Sequence, residues 1–478
     1  MAALRFFAMN ETRASKIWHR MWHAMKGSPA RILLTIANAA LLIRLLPLLH
    51  PGDRWAVLDD SHEYLALVKG MLSGCGFARL INGGCRPPEL LRLPGYPLFL
   101  ALMPGLRSAV AVQALLGAAT CLLIGLFTYA KWGLAAGVIS ETLLALDIPS
   151  VVASSSIMSD CLFETLLTLA IVLQLWVLAR GLADKRGTWL ALLAAFPLAY
   201  AVLLRAVAVV LPPIAALPFL LLPRLSIKRR LVLSLLAVAI PVSVMGCWTL
   251  RNHLRTGRWT FTTEGAFNLY YYNTAGVLWF LHDGSLTELQ EELGRSVGAT
   301  NLDEFVSARQ EHEMTKRSLA VFFGHPVAAS AMMLRCLAWL AIVPDRANLN
   351  AVLGTNARSS VFLMASQNVT LRIREMLRSP LLSVFVAVQV PLTIFMWIGV
   401  GITLKHIRQV RRQPREQLPL ILIPLGVAFV MLLIGAGPGA IARFRLPSVP
   451  FLAMLAGVGW SGTFGPLGKN PHQVSSIE

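Results

Sequence analysis

The chain has 478 residues, of which 56% are hydrophobic and 14% charged. A soluble protein carries about 25% charged residues, so a soluble multidomain enzyme is excluded. Lys and Arg outnumber Asp and Glu by 43 to 24, a net charge of +19. The basic residues cluster between apolar runs, where membrane orientation requires them, so the excess does not point to nucleic acid.

The apolar runs read as a polytopic helical membrane protein. Residues 1–31 form a basic cytoplasmic leader containing Arg5, Arg13, Lys16, Arg20, Lys26 and Arg31. No small-residue cleavage site follows it, so the run 32–49 is expected to be a retained first span. A polar stretch, 51–96, forms the first external loop. Spans are expected at 108–129, 132–152 and 161–178, the last ending inside beside Arg180, Lys185 and Arg186. Runs 188–204 and 207–222 follow, then Arg224, Lys228, Arg229 and Arg230, and the span 231–250 leads outward.

Residues 251–379 contain no clean span. An amphipathic helical piece is expected over 286–323. The apolar piece 327–343 is interrupted by Arg335, and an arginine in mid-span is costly, so a helix lying at the interface is expected. The span 381–404 ends at Lys405, Arg408, Arg411, Arg412 and Arg415. Spans 418–434 and 446–460 return the tail, 465–478, to the cytoplasm. The expected fold is all-α: about ten transmembrane helices with external juxtamembrane helices. Its parts are the leader (1–31), an N-terminal transmembrane module (32–250), an external or interfacial region (251–379), C-terminal transmembrane helices (380–464) and the tail.

The six cysteines divide by context. Cys121, Cys161, Cys247 and Cys336 lie in apolar segments and read as small buried groups. Cys75 and Cys85 lie among Gly and Pro in the first external loop and are disulfide candidates.

Polar residues collect on one side. Inner loops are short and basic, whereas the external connections carry mixed chemistry. Asp59, Asp60, His62, Glu63 and Tyr64 lie in the first external loop. Asp147, Ser154 to Ser156, Ser159, Asp160 and Glu164 lie between and beside spans three and four. Arg205 lies between spans five and six, Trp248, Arg251, Asn252 and His253 at the exit of span seven, and Arg443 and Arg445 in the last external turn. Two groups of acids and four arginines at one face point to a site for an anionic, phosphate-bearing lipid. Each has a blander reading: a lone interfacial arginine snorkels to headgroups, and an aspartate beside a span caps a helix.

His62, His253, His282, His312 and His325 lack metal-ligand spacing, and His312-Glu313 has no second His in register. No metal is expected and no divalent cofactor is required. Gly133 and Gly137 form a GxxxG pair that reports tight packing. No Walker loop, dinucleotide fingerprint or Ser-His-Asp signature is present.

The stretches Asp60-Ser61-His62-Glu63-Tyr64, Gly74-Cys75-Gly76-Phe77 and Arg92-Leu93-Pro94-Gly95-Tyr96-Pro97 resemble the first external loop of GT-C class membrane glycosyltransferases of the family 39 type. That group includes lipid A aminoarabinose transferase and is related to protein O-mannosyltransferases. Ser159-Asp160-Cys161-Leu162-Phe163, Leu204-Arg205, Trp248-Thr249-Leu250-Arg251-Asn252, His325-Pro326 and Arg443-Phe444-Arg445-Leu446-Pro447 follow in the family's order. The resemblance spans residues 32–460. Ser61 stands where the aminoarabinose transferase has an acid, and the chain is shorter than that enzyme.

The resemblance implies transfer of a sugar from a polyprenyl-phosphate donor to a hydroxyl of a lipid, glycan or protein acceptor, with inversion, at the external (periplasmic) face of the plasma (inner) membrane. Asp60 is expected to be the general base, because the family's acid-to-Tyr spacing fits it and not Asp59. Asp160 is the second acid. Arg205, Arg251, Arg443 and Arg445 are the expected donor-phosphate ligands, Arg251 and Arg443 foremost. Tyr64, Arg92, Tyr96 and Asn252 are expected in the substrate pocket. The rival reading is a transporter or flippase of lipid-linked saccharide, which needs ionisable groups near the midplane; Glu141 and, less centrally, Arg44 are its candidates. A third is a non-catalytic scaffold for envelope assembly.

Overall fold

The computed structural model describes residues 28–50, 56–180, 185–222, 225–282, 285–298, 308–344, 380–410, 418–439 and 441–462. The leader up to residue 27, the stretch 345–379 and the tail 465–478 lie outside the described residues. Among the described residues, six helices are long and apolar enough to cross a membrane, or eight if each of two bent pairs is one span. The chain is a multi-pass, essentially all-helical membrane protein.

Helix α1 (Ser28–Leu45) is the first apolar run. The loop after it then folds as α2 (Asp59–Leu72), a hairpin of β1 (Ala78–Ile81) and β2 (Gly84–Pro88), and α3 (Gly95–Ala101). The hairpin, unanticipated in an all-α reading, turns at Asn82 and Gly83, both at positive φ. Asn-Gly is the pair such two-residue turns demand. Cys75 and Cys85 are joined by a disulfide, with Cα atoms 5.6 Å apart, that ties the loop after α2 to β2.

The long α4 (Leu106–Trp132) ends at Gly133, whose φ of +88° lets the chain reverse into α5 (Leu134–Ala145). The expected third span, 132–152, is not continuous. It is α5 followed by α6 (Ile148–Ser155), bent by 55°. The break is chemical: Asp147 accepts the N–H of Ser150 at 3.1 Å as an N-cap, and Pro149 stands at the start of α6. Helix α7 (Asp160–Ala179) is the fourth span.

The fifth and sixth expected spans are helical but short. They comprise α8 (Lys185–Leu193), α9 (Ala195–Ala201), two 3-10 turns, and α10 (Leu217–Leu221). Pro212, Pro213 and Pro218 supply no N–H and interrupt the ladder there. Helix α11 (Ile227–Thr256) is the seventh span. The last expected span is only α19 (Val449–Ser461), preceded by a 3-10 turn (Ala442–Ser448). Its residues 449–459 are all buried, so it is a central helix of the bundle rather than a lipid-facing one. It packs against α5 and against α17 (Pro380–Val410) and α18 (Leu418–Gly435).

Between α11 and α17 lie α12 (Glu264–Phe267), a π-helix (Asn268–Thr274) and α13 (Ala275–Leu281), forming one continuous rod. Then come α14 (Leu286–Ser296), α15 (Ala308–Gly324) and α16 (Pro326–Ile342). The amphipathic piece expected over 286–323 is therefore two helices. Helices α15 and α16 meet at 99°, with Pro326 opening the second. Arg335 does not point at bare hydrocarbon: its guanidinium lies 5.1 Å from the ring centre of Trp279.

The disulfide gives a direct test. Thiol reagents should label Cys75 and Cys85 in native protein only after reduction. Equal labelling with and without reductant would contradict the bond.

Candidate active site

The site begins with how α2 starts. The Ser61 hydroxyl accepts the Leu58 N–H at 2.8 Å and donates to the carbonyl of Ile157 at 2.8 Å. Ile157 in turn donates its N–H to Ala56 at 2.7 Å. Ser61 therefore clamps the first turn of α2 to the segment leading into α7. The clamp brings together Asp60 and Asp160, each in the first turn of its helix, where a carboxylate suits the helix dipole. Capping falls to Ser61, which leaves Asp60 free for other partners.

Those partners are two arginines. Arg443 Nη2 lies 2.6 Å from one Asp60 oxygen, and Arg92 Nη2 lies 3.0 Å from the other. Burial by itself would raise the pKa of Asp60. The charges of Arg443 and Arg92 outweigh it and hold the carboxyl well below the usual carboxylate range. Burial likewise works against charge on Arg443, yet Asp60 and Asp160 hold its pKa above the ordinary arginine value.

An alternating chain of charges runs outward from Asp60. Arg92 Nε lies 2.6 Å from Glu63, Glu63 lies 3.2 Å from Arg79, and Arg79 Nε lies 2.6 Å from Glu89. Glu89 also accepts the N–H groups of Leu91 and Arg92, at 2.8 and 3.1 Å, and so fixes the backbone that presents Arg92. Like charges never adjoin along this chain, which is how several partly buried ions are held together.

Asp160 pairs with Arg205. Its second oxygen is buried and makes no hydrogen bond, and neither does Arg443 Nε. Arg205 and Arg443 both lie over the ring of Phe444, at 5.7 and 5.1 Å. The two acids and two cations thus form one group, with an open acceptor on one member and an open donor on another. Glu264, at the start of α12, comes within 3.9 Å of Arg92. Burial raises its pKa, against the lowering effects of Arg92 and Arg205.

The expected pocket residues separate. Arg92 is in the group. Tyr64 borders it: the Arg92 guanidinium lies 5.6 Å from the Tyr64 ring centre, and the Tyr64 hydroxyl meets Ser159 Oγ at 3.3 Å rather than Asp60. Tyr96 is fully buried behind Tyr64 and donates to Gln113 at 2.7 Å. Asn252 donates to the carbonyls of Thr260 and Phe261 at 2.9 and 3.1 Å, holding the turn after α11.

The four arginines separate too. Arg205 and Arg443 join the acids. Arg251 instead donates to the carbonyls of Phe77 and Glu89, at 3.1 and 3.3 Å, and to Asn252 at 2.9 Å. Its guanidinium lies 4.8 Å from the Trp248 ring centre. It clasps the end of α11 to the hairpin. Arg445 is wholly buried and donates to the carbonyls of Leu340, Ala341 and Val343, each at 3.2 Å. It also lies 3.8 Å from Asp147. Asp147 is held by Gln389 at 2.8 Å, and the same Gln389 accepts the N–H of Ile148 at 2.8 Å. Arg445 therefore joins the end of α16 to the break between α5 and α6.

Sequence reasoning missed Glu264, Tyr272, Arg79, Glu89 and Gln389 as members or supports of this region. The Glu89 signal was local, an acid just ahead of the backbone N–H groups it caps. Glu264 and Tyr272 lie in a segment whose hydropathy gives no sharp element. Among the described residues, no three His, Cys, Asp or Glu side chains gather as a group able to hold a metal ion.

No protein-family model matches the chain, and no curated protein does. Solved structures do. The Archaeoglobus fulgidus oligosaccharyltransferase AglB, in complex with an inhibitory peptide and a dolichol-phosphate, superposes at a TM-score of 0.51 with 13% identity. Its apo form gives 0.50 at 13% identity, and in both cases 91% of this chain is covered. The fold is of GT-C type. This chain covers 50% of AglB's length. ArnT from Cupriavidus metallidurans, bound to undecaprenyl phosphate, superposes more loosely: TM-score 0.38, 15% identity, covering 91% of this chain and 79% of that one.

Two outcomes follow from this geometry. Because the Asp60 pKa is depressed, its ion pairs contribute stability above the unfolded value of about 3.9 and lose it only as pH falls through the lower folded value. The difference in thermal unfolding between wild type and Asp60→Asn should therefore be the same at pH 7 and pH 5. A difference that closes by pH 5 would mean that the arginines do not hold the carboxylate. Arg445→Lys should destabilise the detergent-solubilised protein more than Arg251→Lys does. A single ammonium cannot satisfy three carbonyls and Asp147, and breaking a buried pair costs about 3–5 kcal/mol.

Proposed function

We propose that this protein is a glycosyltransferase. It moves a sugar from a polyprenyl-phosphate-type donor to an acceptor hydroxyl at the external, periplasmic face of the plasma membrane, with inversion at the anomeric carbon. The observation that carries this reading is the Asp60 carboxylate held between Arg92 and Arg443, beside the Asp160–Arg205 pair. Transfer to a hydroxyl needs a carboxylate for the incoming proton and cations for the departing phosphate. Both kinds of group meet here in a protein of this fold. The AglB structure in complex with a dolichol-phosphate supports a lipid phosphate as the donor's leaving group. The basic inner loops support cytoplasmic N- and C-termini and an external site.

In this reading the acceptor oxygen attacks the anomeric carbon, and the bond from that carbon to the phosphate oxygen breaks with its electron pair going to the lipid phosphate. The hydroxyl proton passes to Asp60. A carboxylate with a depressed pKa is ionised and ready but weakly basic. Two features offset this. An oxocarbenium-like transition state lets proton transfer come late. In addition, the donor phosphate competes with Asp60 for Arg443, and a carboxylate relieved of one guanidinium becomes more basic. Arg443 and Arg205 are then the phosphate ligands, each offering a planar fork that can hold two oxygens. Arg251 and Arg445 shape the fold around them.

The transporter reading rests on Glu141, which is buried with neither oxygen hydrogen-bonded. Arg44 is already engaged with the carbonyls of Ala40, Leu144 and Ala145. A flippase would not require Asp60 as a base.

The test combines gene deletion with complementation, reading lipid-linked sugars by mass spectrometry. Wild type should clear the species that accumulates on deletion. Asp60→Asn should slow clearance on the order of 100-fold or more, Arg443→Lys should weaken donor use, and Asp59→Asn should act nearly as wild type. Normal clearance by a well-folded Asp60→Asn protein would sink the assignment.

A further inference from the structure

A wall beside the Asp60 group is built by the rod from Glu264 to Leu281, and its middle turn is a π-helix. A π-helical turn inserts one residue into a helix and recurs at functional sites. Here Thr274 donates its hydroxyl to the carbonyl of Leu269, five residues back, at 3.0 Å, within the widened turn.

The opposite strip of chain is shaped to this turn. A Cβ on Gly437 would stand 2.7 Å from Asn273 Oδ1, and one on Gly439 would stand 2.8 Å from Tyr272 Cδ1. A side chain at Gly439 would collide with the Tyr272 ring, and one at Gly437 would displace the Asn273 side chain. Gly439 is four residues before Arg443, so the Tyr272 ring lies against the strip that carries the proposed phosphate ligand. Tyr272 also meets Phe267 and Tyr271 edge-on, with ring centres 5.9 and 5.2 Å away. Phe267 and Tyr271 are themselves stacked at 5.1 Å.

Two polar groups of this wall are left over. Among the described residues, the Tyr272 hydroxyl makes no hydrogen bond. The Glu264 carboxylate, 25% exposed, also makes none, and its nearest cation is Arg92 at 3.9 Å. Both groups feel the charges of Asp60, Arg92 and Arg443. Both groups therefore keep hydrogen-bonding capacity that no protein partner among the described residues takes up, and a bound ligand could use it.

We propose that Glu264 and Tyr272 form the subsite for the donor's sugar ring, with the Tyr272 face packing on the ring and the Glu264 carboxylate and Tyr272 hydroxyl binding its hydroxyl groups. An aromatic face with adjacent acceptors fits a ring that is apolar on its C–H face and polar at its rim. The donor's sugar, rather than the acceptor, is assigned because its anomeric carbon is bonded to the phosphate. Its ring must therefore lie beside Arg443, whose charge both Glu264 and Tyr272 feel. The inference rests on the reading of Arg443 as a phosphate ligand.

The experiment measures binding to the purified full chain in nanodiscs. The probes are undecaprenyl phosphate alone and the same lipid carrying glucose, mannose, galactose or arabinose. Wild type should bind at least one sugar-bearing lipid more tightly than the bare lipid. Glu264→Gln and Tyr272→Leu should bind the bare lipid as wild type does and lose the sugar's added affinity, about tenfold or more for the carboxylate. Tyr272→Phe should keep part of it. The subsite is wrong if the variants keep the added affinity, if they lose bare-lipid binding to the same extent, or if wild type binds every probe equally. Arg443→Lys is the separate control. If it leaves bare-lipid binding unchanged, the phosphate reading fails as well, whatever the sugar variants do.

Discussion

One carboxylate joins the two ends of the fold. Asp60 binds Arg92, 32 positions on, and Arg443, 383 positions on. The loop after α1 is thereby closed onto the turn before α19, with most of the bundle's helices between them in sequence. Charges removed from water are costly unless paired and hydrogen-bonded, so this closure can exist only if the surrounding backbone delivers both guanidinium groups accurately. Much of the surrounding architecture serves that delivery. Ser61 pins the start of α2, Glu89 fixes the backbone of Arg92, Arg251 clasps α11 to the hairpin, and the disulfide limits the hairpin's travel. None of these residues needs to touch a substrate to matter for chemistry.

The membrane architecture was legible where a span is long and uninterrupted, because apolar length reports bilayer thickness directly. It was less legible where prolines and a capping aspartate break a run. Residues 132–152 look like one span by hydropathy, yet Asp147 and Pro149 bend it by 55°. Helix α19 is apolar because it is surrounded by other helices, and hydropathy alone does not distinguish a helix facing lipid from one facing protein.

The same ambiguity governs the site. Asp60, Asp160, Arg205 and Arg443 were legible as acids and bases at one face, and the structure does bring them together. Arg251 and Arg445 carry the same sequence signal, but their hydrogen bonds go to carbonyls at helix and strand ends, with Asp147 also 3.8 Å from Arg445. Which neighbour an arginine meets is a tertiary fact that no local pattern encodes. Glu264 and Tyr272 were illegible for another reason. They lie in a stretch whose hydropathy marks no sharp element, and the π-helical turn that contains Tyr272 follows no 3.6-residue period.

Arg443 and Arg445 show how one short turn can place two arginines in different surroundings. They are two residues apart on a 3-10 turn, where three residues make a full rotation, so their side chains diverge by about 120°. Arg445 points into the bundle, where three carbonyls and Asp147 surround it. Arg443 points to Asp60 and keeps one buried donor unused. The anchoring interactions are therefore separate from the exchangeable ones. An anion could draw Arg443 away from Asp60 while Arg445 holds the backbone in place, so only a side chain need move. A turn held by a single arginine would have to trade position for binding. Two arginines of unequal burial remove that conflict, and the wholly buried one can do its work without contacting substrate.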